Sequence, residues 1–145
     1  MGNTPDVIVA VIVTNGGTLL LGQDVGTKLW TLPKGGILKF QGIQDAAQKA
    51  VFDTTGISVQ VPGSIFVAEE FVPPDRHDII IATLGKPLGD GSTLVPKPNP
   101  EAFSEVRWVD FRNLGEYQET VDNMTADAIM KFGIYLQQKT QGHRG

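Results

Sequence analysis

Apolar residues run almost without interruption from Val7 to Val13. The run is too short for most helices and rich in β-branched side chains, so it predicts a buried strand. Asn15-Gly16-Gly17 suits a tight hairpin, and Thr18 to Leu21 returns as a second strand. Gly22 to Lys28 is polar and reads as a loop. Trp30 to Pro33 is extended, because Pro33 keeps Leu32 out of the helical region, and Lys34-Gly35-Gly36 reads as a flexible turn. The period then changes to that of a helix over Ile43 to Thr55, with Gly56 at its end. Ile43, Ala46, Ala47, Ala50, Val51 and Thr54 form its shallow apolar stripe, with Asp45, Gln48 and Lys49 opposite. Phe52 points away from that stripe and needs a second contact surface or solvent.

Beyond Gly56 the alternation has period two. Ile57 to Val61 reads as a half-buried strand, followed by strands over Ser64 to Phe71 and His77 to Leu84, with a break at Val72 to Asp75. Gly85 to Ala102 is rich in proline and glycine and reads as a long surface loop. Val106 to Val109 is a short strand, and Phe111 to Tyr117 is irregular or briefly helical. A closing helix from about Asp122 to Gln138 carries Thr125, Ala128, Ile129, Phe132, Tyr135 and Leu136 on one stripe, with Thr120 as its expected cap. Strands first, a helix, more strands and a last helix predict an α/β chain, a sheet with helices packed on its faces.

Composition narrows the function classes. The chain has 145 residues, which fits one domain over residues 1–140, with 141–145 as a loose tail. Lys and Arg total 12 against 16 Asp and Glu, a net charge of −4. No basic run tracks a phosphate backbone, so extended nucleic acid is not expected as a partner. The absence of cysteine removes disulfides, thiolate nucleophiles and sulfur-ligated zinc. Met1 to Asp6 lacks the order of a secretory signal, and no apolar run spans a bilayer, so a cytoplasmic location and no membrane partner are expected.

The segment Trp30 to Gly42, continued through Ala47 to Gly56-Ile57, resembles the signature of the Nudix hydrolase superfamily. That signature is Gly, five residues, Glu, seven residues, Arg-Glu, an aliphatic, any residue, Glu-Glu, any residue, Gly and an aliphatic. With its first glycine on Gly35, the later aliphatic falls on Val51, the last glycine on Gly56 and the final aliphatic on Ile57. The Trp-x-Leu-Pro entry at Trp30 to Pro33 and the Glu-Val-x-Trp at Glu105 to Trp108 also match flanks that members commonly carry. The resemblance implies a Nudix-type α/β/α sandwich with a mixed sheet, hydrolysis of a nucleoside diphosphate linked to another moiety, and Mg²⁺ or Mn²⁺ as cofactor in an active member.

The box is degenerate. Its first Glu falls on Gln41, its Arg on Lys49, the next Glu on Ala50, and the Glu-Glu pair on Asp53 and Thr54. A hard divalent cation takes several oxygen ligands, carboxylates foremost, and one box carboxylate remains. Lys49 keeps a positive charge without the planar fork of Arg. A small, neutral helix face can close down where metals are not held.

The resemblance makes Asp53, Glu101 and Lys49 the candidate catalytic residues, with Asp53 and Glu101 as candidate metal ligands. Asp53 reads equally as a surface carboxylate paired with Lys49 one turn back, and Glu101 as a solvent-facing loop residue. Candidate substrate-binding residues are Trp30, Lys34, Gly35, Gly36, Glu70, Arg76 and His77. Glu69 and Glu70 are neighbours on a strand and point to opposite faces. His77 is either a hydrogen-bonding group at the cleft rim or an ordinary strand-start histidine. Trp108 reads as core, Glu105 as structural, and Phe40 as an aromatic positioned to fill the cleft. Three functions follow: an atypical hydrolase, a catalytically inactive module binding a nucleotide or other diphosphate without cofactor, or a structural or protein-interaction domain. The resemblance leaves the oligomeric state open, with a homodimer possible because family members are often dimers.

Overall fold

The computed structural model describes residues 6–38, 41–62, 65–72, 76–117 and 120–142. For 65–72, 76–78 and 134–142 it describes the backbone alone. The order is β1 (Asp6–Asn15), β2 (Thr18–Asp24), β3 (Trp30–Thr31), β4 (Lys34–Gly36), α1 (Ile43–Thr55), β5 (Val59–Gln60), β6 (Ile65–Val72), β7 (Arg76–Pro87), β8 (Phe103–Asp110) and α2 (Asn123–Gly142). Single 3₁₀ segments cover Gly91–Leu94 and Phe111–Tyr117. Among the described residues no helix is long and apolar enough to cross a membrane.

The sheet is mixed, and its strands run β3-β2-β1-β7-β5, with β4 beside β1, β6 beside β7 and β8 beside β2. β1 and β7 pair in parallel over Asp6↔Asp78 to Val13↔Gly85, while β2, β4, β5, β6 and β8 pair antiparallel. The unbroken apolar run of β1 has a direct cause: both of its faces are covered. Val9, Val11 and Val13 pack beneath α1 with Ala46, Ala47, Ala50 and Val51. Ala10 and Ile12 pack on the opposite face with Met124, Ala128 and Phe132 of α2. Each such side chain, fully buried, contributes about 1.5–3 kcal/mol if it is a Val, Leu, Ile, Phe or Met. The result is the α/β/α sandwich that the sequence predicts.

The helix over Ile43–Thr55 has the predicted bounds. Gly56 adopts φ +76° and donates its N–H to the Phe52 carbonyl, the left-handed stop that glycine adopts without steric cost. Phe52 is 56% exposed, as its position off the stripe requires.

Several local expectations are corrected. Gly22 to Asp24 continues β2 rather than opening a loop, because β8 pairs along it as far as Asp24↔Phe103. Lys34-Gly35-Gly36 is a strand rather than a turn, pairing antiparallel with Ile8 to Ala10 of β1. Only Val59–Gln60 of the Ile57 to Val61 run is a strand, although Ile57, Val59 and Val61 are buried in alternation as expected. The loop after β7 is shorter than predicted, since pairing carries β7 to Pro87. Thr120 does not cap α2: its hydroxyl donates to the Tyr117 carbonyl, and Asp122 accepts the Thr125 N–H at 2.9 Å instead. The helix runs through Gly142, so Gln141 and Gly142 of the expected tail are helical. Residues 143–145 lie outside the described residues.

Candidate functional site

A cleft of about 290 Å³ opens between β4 and one flank of α1. Gly35 and Gly36 of β4 and Ala46, Ala50 and Thr54 of α1 line it, with Leu38 and Gln41 from the connecting segment. Lys34, Lys49 and Asp53 also border it. These are the positions of the degenerate box, and the fold brings them together because β4 pairs with β1 directly beside α1.

The contact between strand and helix is close. A Cβ built on Gly35 lies 3.2 Å from the Ala50 Cβ, tighter than ordinary van der Waals packing. Ala50 is buried, at 6% exposure. Where the family signature has a carboxylate, this helix has a methyl group seated on the strand. Thr54 is half-buried, and its hydroxyl donates to the Ala50 carbonyl at 2.7 Å, a bond within the helix itself. Thr55, rather than Thr54, completes the buried stripe, at 0% exposure. The helix is rotated slightly from the predicted face, which leaves Thr54 at the cleft wall.

Lys49 and Asp53 form an i,i+4 pair, with Nζ donating to Oδ2 at 2.8 Å. Their side chains are 61% and 49% exposed, so this pair is worth about 0.3–0.5 kcal/mol to the helix. Gln41 uses its amide oxygen to accept the Leu38 N–H at 3.0 Å, which closes the turn entering α1. Lys34 occupies a register position opposite Ala10, whose side chain belongs to the α2 face. Accordingly its ammonium lies 3.7 Å from Asp122 at the start of α2. Lys34 borders the cleft, yet its charge is directed to the far helix.

The donor set does not fit a resident hard cation. Such an ion takes six or more oxygens, carboxylates foremost. The side chains lining the cleft offer one carboxylate, already bound to Lys49, the Gln41 amide oxygen, already accepting the Leu38 N–H, and one hydroxyl engaged within its own helix. Among the described residues no group of three acidic or imidazole side chains comes together.

The remaining candidates are distributed. Glu101 is exposed, and its N–H binds the Asn99 side-chain oxygen at 3.0 Å. Its loop lies against the end of α1: Lys97 N–H donates to the Thr55 carbonyl, and Asn99 N–H to that of Thr54. The Asn99 side-chain amide donates to the Asp53 carbonyl at 3.2 Å. Asn99 thus fixes the last turn of α1, a role that sequence reasoning missed. The signal was Asn99 flanked by Pro98 and Pro100, a rigid stretch with one side chain able to satisfy orphan helix carbonyls.

Trp30 is not in the cleft. It is 7% exposed and packs in the α2-side core, edge-on to Tyr117 at 5.5 Å, with the Arg107 guanidinium 5.1 Å from its ring. Its backbone binds Thr120 and Asp122, which ties the Trp-x-Leu-Pro segment to the start of α2. Hydrogen bonds to Glu105 and Tyr117 push the Arg107 guanidinium above its usual pKa. Glu105 pairs with Arg107 at the surface, and Trp108 donates its indole N–H to the Leu94 carbonyl at 2.8 Å. By backbone register Glu70 stands opposite Asp78, Phe71 opposite His77 and Val72 opposite Arg76. Phe40 lies outside the described residues.

The NUDIX domain model matches residues 4–130 of this chain. The chain belongs to the NUDIX family. Solved structures share its fold: a NUDIX hydrolase from Nitrosomonas europaea is 13% identical over 90% of each chain, with a TM-score of 0.77. The MutT protein from Methanosarcina mazei Go1 is 20% identical, covering 93% of this chain and 97% of its own, at 0.75. A bifunctional NMN adenylyltransferase/ADP ribose pyrophosphatase from Francisella tularensis, solved with AMP and a Mn ion, is 20% identical over 93% of this chain and 42% of its own, at 0.68. No curated protein matches the sequence. Against the signature, the box of this chain keeps the spacing and carries a carboxylate at Asp53, with Gln41, Ala50 and Thr54 at the other acidic positions.

Proposed function

We propose that this NUDIX domain binds a nucleotide or other diphosphate-bearing small molecule in the cleft between β4 and α1 and does not hydrolyse it. One observation carries this reading. Ala50 is buried on the cleft wall where the family signature has a carboxylate, so that wall offers a methyl group and no ligand while the cleft itself persists. The cleft volume sits near the lower end of those that hold small ligands, which suits a phosphate-bearing portion better than a whole dinucleotide.

Thermal melts with ADP-ribose, ADP and deoxynucleoside triphosphates test it, run beside chromatographic product analysis in Mg²⁺ and in Mn²⁺. The expected outcome is stabilisation by at least one ligand with no product formed. Metal-dependent turnover that is lost in Asp53→Asn would overturn the reading.

A second reading has its own observation. The Asn99 contacts bring the loop bearing Glu101 against the turn that carries Asp53. An atypical hydrolase built on Asp53 and Glu101, with Lys49 one helix turn back, is the alternative. It predicts turnover that falls in both Asp53→Asn and Glu101→Gln.

A further inference from the structure

The mismatch between the cleft and a divalent cation raises a physical question. A phosphate group entering this cleft brings negative charge into a chain whose net charge is −4. Something must offset that charge, or the group stays in water. The cleft lining contains three charged residues, Lys34, Lys49 and Asp53. The Lys34 ammonium is drawn toward Asp122, whose side chain is only 18% exposed. Lys49 is placed differently. Its ammonium is held on the cleft flank of α1 by one bond to Asp53, and an ammonium has three donors. Two remain for a ligand.

From this geometry we infer that the Lys49 ammonium serves as a built-in cation for this cleft, so that phosphate-bearing ligands are held without metal. Lys49 supplies a compact point charge on a long stem, and a point charge is sufficient to bind phosphate. Asp53 then changes role. Instead of ligating a cation together with other carboxylates, it pairs with the lysine at the cleft flank and competes with the incoming anion for the same donors. The flanking surfaces agree with a phosphate-bearing group of modest size: the Gly35 and Gly36 backbone on one side, and the methyl groups of Ala46 and Ala50 on the other.

This inference rests on the binding reading above, but it makes opposite predictions from metal-based binding for one residue. In a metal-dependent site, loss of the Asp53 carboxylate weakens ligand binding. With Lys49 as the cation, the same change releases the ammonium and removes a repulsive charge, so binding is retained or tightens.

The test is calorimetric titration of the full chain with inorganic pyrophosphate and with ADP, in EDTA and in Mg²⁺. Binding is expected in EDTA, weakened about tenfold or more by Lys49→Met, since a hydrogen bond to a charged group is lost. Lys49→Arg is expected to stay within a few-fold of the parent, and Asp53→Asn to bind as well or a few-fold better. Lys49 is 61% exposed, so Lys49→Met removes no core contact, and melting curves check that each variant is folded. Binding in EDTA that ignores Lys49→Met overturns the lysine's role while leaving the binding reading intact. Binding that needs Mg²⁺ and disappears in Asp53→Asn overturns the metal-free inference. Hydrolysis of ADP by the parent chain, or no binding of either probe, overturns the binding reading itself and this inference with it.

Discussion

The two faces of the sheet are built on different scales. Beneath α1 the core is mostly small and aliphatic, with Val9, Val11, Val13, Ala46, Ala47, Ala50 and Val51. These are joined by Leu20, Ile57, Val59, Val61 and Val106, one buried ring, Phe103, and the half-buried Trp108 at its margin. Beneath α2 it contains Trp30, Leu32, Met124 and Phe132, with Phe111 and Tyr117 packed against them. Small residues let α1 approach the strands until Ala50 touches Gly35, and a helix that close leaves its flank as the wall of a cleft. Large residues hold α2 by filling the space with rings. Phe111 stacks on Phe132 at 6.3 Å, and Trp30 meets Tyr117 edge-on. One face is organised around an opening and the other around its closure.

The polar groups differ in the same way. On the α2 side Thr31 and Thr125 are buried, at 1% and 0% exposure, and satisfy one another at 3.2 Å. The Thr125 hydroxyl also accepts the Leu32 N–H at 3.1 Å, so the link between the Trp-x-Leu-Pro segment and α2 is internal and complete. On the α1 side Lys49 and Asp53 remain half-exposed, with capacity left for a ligand. Buried, satisfied pairs specify a packing; exposed pairs stay available for exchange.

The largest effect is expected from the ring-filled face. Phe132→Ala should destabilise the chain by about 3–5 kcal/mol, read by urea unfolding, because a ring-sized void opens against Phe111. A loss below about 1 kcal/mol would mean that the α2 face is not held by its rings. An intermediate effect is expected on the cleft face. Gln41→Glu, Ala50→Glu and Thr54→Glu together should lower stability by about 1–3 kcal/mol without metal, since Ala50 is buried and a carboxylate there leaves water without gaining a partner. Gln41→Glu alone keeps an oxygen acceptor for the Leu38 N–H, so the cost is expected at position 50. Mg²⁺ should return part of the melting temperature through linkage, with slow phosphate release at best. A triple variant that folds as well as the parent and ignores Mg²⁺ would show that cleft geometry, and not ligand count alone, has been lost.

The smallest effect lies at the solvent edge of β8. Hydrogen bonds from Arg112 hold the Asp110 carboxyl down to about 2. A carboxyl whose folded pKa is depressed adds stability above its unfolded value, near 4, and loses it as pH falls toward 2. Asp110→Asn should therefore flatten the stability profile slightly between pH 4 and pH 2, followed by urea midpoints. Both partners are at the surface, so the change should be small, and a profile equal to the parent's would show that the pair contributes nothing to folding.

Much of this architecture was legible along the chain because it rests on near neighbours. The bounds of α1 follow from period and from Gly56, and the exposure of Phe52 follows from its angle off the stripe. The alternating burial of Ile57, Val59 and Val61 follows from the strand period. The resemblance to the Nudix signature, and not the helical period, pointed to Gly35, Ala50, Asp53 and Thr54 as cleft residues, and they line it. The misread strands share a cause: each depended on a partner distant in sequence, whereas the misplaced cap of α2 was a choice between near neighbours. Lys34-Gly35-Gly36 has the composition of a turn and becomes a strand only because Ile8 to Ala10 offers an open edge. Thr120 is a good cap by type, but Asp122 is the residue placed to accept the Thr125 N–H.

What the sequence by itself determined is the two helices, the main strands and the degeneracy of the box. Periodicity, glycine stops and the identity of each ligand position are local properties of the chain. Tertiary structure decided where charge and bulk are directed. Register opposite Ala10 sends Lys34 to Asp122 and away from the cleft. The docking of Trp30 on α2 turns an apparent stacking surface into core. Asn99 reaches the carbonyl of Asp53 across 46 residues of sequence, and Gly35 meets Ala50 only because β4 lies beneath α1. Hydrogen bonds and van der Waals contacts act over a few ångströms, so a function that depends on them is determined only once the fold has brought distant residues within that range.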